Sequence, residues 1–217
     1  MDFTELFDFL SELEQNNTKE WMDAHRKWYT RMRNGYIHWL DDLDTTLAAM
    51  DTEYYATPGK KGINRINNNL MFHPNKPIYK DHFGAGVDKA PHTADFYIQV
   101  GINRSLFAGG FWRPEPKILR SIREAIDYDG DEFLEIINKR SFKKTFGTLV
   151  EDQKLKNAPK GFSNDHPHID ILKNKTFAVI HDLKKEEVLH KDFKKKLISV
   201  YTEMLPFRRY LNRAVTV

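Results

Sequence analysis

The sequence predicts an α+β fold: an antiparallel sheet containing a central hairpin over about residues 95–112, packed against several helices, including a long N-terminal one. Three observations carry this. Apolar residues recur at helical spacing through most of the first fifty positions and again after Pro114. Residues 95–103 alternate strictly between apolar and other side chains. Helices flank that hairpin without a regular βαβ alternation, so Rossmann-type architectures are disfavoured.

From Asp2 to Leu13, apolar residues at 3, 6, 7, 10 and 13 predict a short amphipathic helix. Asn16-Asn17 breaks it, and Asn17 with Glu20 reads as a capping box for the next helix. Trp21, His25, Trp28, Met32, Trp39, Leu43 and Met50 then predict one long helix over about 18–49, with Gly35 as its weak point and the aromatic stripe facing a core. Residues 51–93 lose periodicity and are dense in Gly, Pro and Asn. We expect an ordered excursion anchored by Asn64-Arg65-Ile66 and Leu70-Met71-Phe72. Within it, His82-Phe83-Gly84-Ala85-Gly86 lacks the Gly-Lys-Ser/Thr ending of a phosphate-binding loop and reads as a flexible turn.

Phe96, Ile98, Val100 and Ile102 define a half-buried strand, turned by Asn103-Arg104-Ser105 into a second strand, Leu106 to Trp112. Gly109-Gly110 inside that strand marks a bulge or a close backbone approach. Pro114 and Pro116 open a helix to about 127, a second follows over about 131–139, and Thr176 to His181 reads as another strand. Asp165 or Ser163 is positioned to cap the segment Ile169 to Asn174. The C-terminal part, about 191–213, is helical, with Pro206 kinking it or starting a new segment.

The chain has 217 residues, 40% of them hydrophobic, which suits a single domain over 1–217 with a sizeable core. It has no cysteine, which excludes disulfides, thiolate metal sites and a cysteine nucleophile. No apolar run approaches the ~20 residues of a membrane span, and Met1-Asp2-Phe3-Thr4-Glu5 is acidic where a secretory signal is basic. A soluble, cytoplasmic protein with no membrane partner is expected. Charge is uneven: residues 1–53 hold 5 Lys/Arg against 12 Asp/Glu, whereas residues 139–196 hold 15 against 8. A net charge of +3 is nonetheless small for a nucleic-acid-binding domain, so that partner is disfavoured.

The segment Arg65 to Lys80 carries the most distinctive pattern. Arg65, Phe72, Asn75, Lys76 and Tyr79 fall, at matching spacing, on a motif of the form Arg-x-x-Arg-Asp-x-Arg-Phe-x-x-Asp/Asn-Lys-x-x-Tyr. With Asn16-Asn17, Trp21, Gly109-Gly110-Phe111-Trp112-Arg113-Pro114, Pro159-Lys160-Gly161 and Asp165-His166-Pro167, the chain resembles the domain-of-unknown-function 2461 family along its whole length. That resemblance implies no activity. It also shows departures: Asn68, Asn69 and Met71 stand where the family has Arg, Asp and Arg. Asn69 cannot act as a general base, and Met71 cannot clamp an anion.

No complete catalytic motif is present, and no cofactor is expected. The lead reading is a site for a small anionic ligand (a phosphoester, nucleotide or acidic sugar), with Arg65, Lys76, Lys160 and Arg113 as cations, Asn75 and Tyr79 as polar partners and Trp112 as a flat wall. The competing reading of Arg65 and Tyr79 is that they fasten the loop. Arg120 and Arg123 project from the polar side of the 114–127 helix. His166 is the candidate acid/base of an enzymatic alternative, because imidazole titrates near neutrality. A third reading is a protein-interaction module. Asp165-His166-Pro167-His168-x-Asp170 holds metal-ligand types, but nothing elsewhere completes a set, and no metal site is expected.

Overall fold

Asp2 starts the first helix. Its carboxylate accepts from the Glu5 N–H at 3.1 Å, and helix α1, Phe3–Gln15, then buries Leu6, Phe7, Phe9, Leu10 and Leu13 on one stripe. The computed structural model describes residues 1–216. After α1 come α2 (Lys19–Ala24), α3 (Arg26–Met50), α4 (Gly59–Gly62), β1 (His82–Val87), β2 (Asp95–Gly101), β3 (Ser105–Phe111), α5 (Pro116–Asn138), α6 (Arg140–Phe146), α7 (Ile169–Leu172), β4 (Phe177–Leu183), α8 (Lys185–Leu189) and α9 (Phe193–Ala214). The four strands form one antiparallel sheet in the order β1-β2-β3-β4, so the fold is α+β. No helix among the described residues is long and apolar enough to cross a membrane. The chain divides into two compact units, one comprising residues 1–89, 97–107 and 182–198, the other residues 90–96, 108–181 and the chain from Ser199 on.

In the first unit, α1 packs against α3, which buries Met32, Tyr36, Leu40, Leu43 and Leu47. Phe9 lies edge-on to Trp28 at 5.3 Å, and Tyr36 to Phe83 at 5.6 Å. Two expectations are corrected here. Thr18 caps α2, its hydroxyl accepting from the Trp21 N–H at 3.2 Å, while Asn17 is spent elsewhere. The long helix is also interrupted at His25, not at Gly35. The His25 ring stacks on Trp21 at 4.1 Å and its Nδ1 donates to the Trp21 carbonyl, holding a backbone at φ −103°, ψ 18° between α2 and α3.

The excursion after α3 is ordered by carboxylates. Asp41 accepts from the Gly59 N–H, and Asp44 from the Thr57 N–H and the Tyr54 hydroxyl. Residues 63–80 then run out and back: Ile63 bridges Ala85 and Asn67 bridges Tyr79. The expected flexible turn at His82–Gly86 is instead strand β1, buried from Phe83 onward. Its glycines provide room, not mobility: a Cβ on Gly84 would overlap the Tyr97 hydroxyl, and one on Gly62 would sit 2.6 Å from the Gly86 carbonyl oxygen.

In the second unit, Gly110 has φ +111°, and a Cβ there would overlap the Phe177 carbonyl oxygen, so the expected close approach at Gly109-Gly110 is met by strand β4. Helix α5 buries Ile118, Ile122, Ile126 and Phe133. It bends at Asp129 (φ −145°, ψ 64°), where the sequence suggests two helices. Phe133 packs against Phe177, Phe207 and Tyr210. The short α7 has no side-chain cap; His168, not Asp165 or Ser163, occupies its N-cap position. Helix α9 continues through Pro206.

Candidate functional site

The residues singled out by the sequence fall in both units: Arg65, Asn75, Lys76 and Tyr79 in the first, Trp112, Arg113, Lys160 and His166 in the second.

In the first unit, the bridge between Asn67 and Tyr79 and the Lys80 N–H donating to the Ile66 carbonyl at 2.8 Å close a hairpin whose tip is residues 69–77. Tyr79 is buried, at 5% exposure, and its backbone is clamped on both sides by Asn17. The Tyr79 N–H donates to the Asn17 amide oxygen at 2.9 Å, and the Asn17 amide donates back to the Tyr79 carbonyl at 3.0 Å. Tyr79 and Asn17 therefore fasten the hairpin base to the α1–α2 junction. The Lys80 ammonium donates to the Arg65 carbonyl at 2.6 Å. Partial burial, then the charges of Arg65 and Lys76, pull that ammonium below its usual range. Arg65, Asn75 and Lys76 are exposed. The Asn68 side-chain amide donates to the Pro77 carbonyl at 2.8 Å, a bond within the hairpin.

In the second unit, a cavity of about 610 Å³ opens between α5 and the 160–162 turn. Ligand sites of small molecules fall in the range of roughly 300–1,000 Å³. The polar face of α5 supplies Arg120, Arg123, Glu124 and Asp127, which share one side because they are three or four residues apart. Lys160, Gly161 and Phe162 form the facing wall, and Pro114, Pro116 and Leu119 give apolar lining. Three cations and two carboxylates line this space, yet the charges are not all matched. Arg120 pairs with Glu124 at 2.7 Å. Among the described residues Arg123 donates only to neutral carbonyls, Leu172 at 2.8 Å and Asn174 at 3.0 Å, and its partial burial lowers its basicity. Lys160 is exposed and has no carboxylate partner among the described residues.

His166 flanks the same cavity, and its geometry fixes its tautomer. Its Nδ1 accepts from the His168 N–H at 3.0 Å, so the ring proton sits on Nε2 and is donated to Asp127 at 2.8 Å. Both ring nitrogens are thus occupied. The arrangement suits holding Asp127 in place and leaves no free lone pair to accept a proton. Arg113 is engaged as well: Nε and Nη2 both meet the Asp152 carboxylate, the latter at 2.9 Å. Trp112 is 55% exposed and does not line the cavity; Phe162 is its aromatic wall. Asp127, Asp152 and Phe162 were missed by sequence reasoning. Following the polar side of the 114–127 helix from Arg120 and Arg123 would have reached Asp127, but no local pattern marks the other two. Among the described residues no three His, Cys, Asp or Glu side chains gather as a metal site would require.

A family model described as "Conserved hypothetical protein (DUF2461)" matches residues 5–210. The chain belongs to that family. No curated protein and no solved structure matches it.

Proposed function

We propose that this member of the family binds a small anion (a phosphoester, nucleotide or acidic sugar) in the cavity of its second unit. One observation carries the reading: among the described residues Lys160 has no carboxylate partner, and it shares a cavity with a half-buried Arg123 whose charge is met only by carbonyl dipoles. A cation desolvated in this way gains from an incoming anion, because the arginine's desolvation has already been met in folding. Phe162 adds a flat apolar face for a base or sugar ring. Arg65 and Lys76 form a second cationic group, on the first unit's hairpin. Recognition is favoured over turnover because both nitrogens of His166 are already hydrogen-bonded.

The test is a thermal-shift panel of inorganic phosphate, pyrophosphate, adenosine monophosphate and glucuronate. At least one raises the melting temperature of the native chain. Lys160→Ala removes that shift while leaving the ligand-free melting temperature nearly unchanged, since an exposed unpaired lysine contributes within about 0.5 kcal/mol to stability. A shift that survives Lys160→Ala, or no shift with any probe, contradicts the reading.

A further inference from the structure

The hairpin of the first unit holds side chains that its fastening role does not use. At its tip Met71 is 85% and Phe72 72% exposed, although backbone bonds from His73 to Asn69 and from Lys76 to His73 order the turn beneath them. Large apolar groups left in water on an ordered turn mark a contact surface. The surrounding sequence has a one-sided charge. Residues 54–80 contain five Lys/Arg and no Asp or Glu, in a chain with 31 acidic residues in 217. Neither Arg65 nor Lys76 has a carboxylate partner among the described residues. The net charge of the whole chain hides this, because all 31 acidic residues lie outside the segment, 12 before residue 54 and 19 after residue 80.

We propose that this hairpin is a docking surface for single-stranded nucleic acid, with Phe72 stacking on a base and Arg65 and Lys76 meeting phosphates. Charge complementarity selects a polyanion. The exposed amides of Asn67, Asn69 and Asn75 around the tip favour nucleic acid over an anionic bilayer. Amides lose their water partners in a lipid interior, whereas base edges offer them donors and acceptors. Sequence-tolerant binding through an aromatic platform and flanking cations is the usual mode for single strands. The proposal is independent of the cavity reading, since it uses other residues and another ligand.

The experiment is fluorescence anisotropy with labelled oligothymidine, titrated at several salt concentrations. The native chain binds it, and more tightly than an abasic oligomer of the same length. Phe72→Ala weakens binding about tenfold without changing the melting temperature. Removing both Arg65 and Lys76 reduces the slope of log affinity against log salt by about 1.4, at roughly 0.7 per phosphate contact on single strands. Equal affinity for the abasic oligomer, an unaltered Phe72→Ala, or no binding at low salt overturns the proposal. So does capture by phosphatidylserine vesicles that Phe72→Ala abolishes when no oligonucleotide is bound, which assigns the tip to a membrane surface.

Discussion

Asp81 receives two side-chain donors, His82 Nδ1 at 2.7 Å and Asn103 Nδ2 at 2.9 Å, and the first of these does most to lower its carboxyl to about 2. The unfolded carboxyl titrates near 3.9, so the native state prefers the ionised form. That contribution is complete above about pH 5 and is lost as pH falls from there towards 2. Asp81→Asn should cost about 1 kcal/mol at neutral pH, a figure discounted for the solvent reaching this part-exposed group, and should flatten the acid limb of stability against pH. Urea melts at pH 7 and pH 3 check both; an unchanged acid limb would contradict the assignment. At this scale the sequence was legible for residue type and much less so for role. His166 stands out as a titratable group, but its partner Asp127 is 39 positions away, and only the fold reveals that both nitrogens are used.

Elements were legible wherever a periodic stripe meets a single core. The stripes of α1 and α5, the alternation of β2 and the break near Asp129 all come directly from side-chain spacing. Strand β1 was not legible, because its pairing to β2 demands glycine where a strand signal asks for branched residues. Gly84 makes room for Tyr97, a partner that local sequence cannot name. The break at His25 was missed for a similar reason: a ring stack and a side-chain bond to the Trp21 carbonyl replace the usual Gly or Pro signal. The glycine pair in β3 was legible, and its consequence can be measured. Gly110→Ala forces an L-residue to φ +111° and pushes a methyl into the Phe177 carbonyl, so it should cost about 2–3 kcal/mol. Chemical denaturation gives the value, and a loss under about 0.5 kcal/mol would mean that β3 and β4 separate more easily than described.

For the molecule as a whole, the uneven charge along the chain becomes two cationic groups of different character. Arg65 and Lys76 stand exposed on a hairpin, whereas Arg123 and Lys160 line a cavity. Family membership fixes the extent of the resemblance, over residues 5–210, and supplies no chemistry. The candidate site was therefore legible only in part: Lys160, Arg120 and Arg123 could be chosen by charge and helix face, but the replacement of Trp112 by Phe162 and the neutralisation of Arg113 by Asp152 depend on the fold. The most direct measurement is an amide-resolved nuclear magnetic resonance titration of the native chain with each of phosphate, pyrophosphate, adenosine monophosphate and glucuronate. Saturable shifts largest at Lys160, Gly161 and Phe162 and along Arg120 to Glu124 with at least one of them are the predicted result; shifts confined to residues 65–80, or none that saturate with any of the four, would contradict a ligand cavity in the second unit.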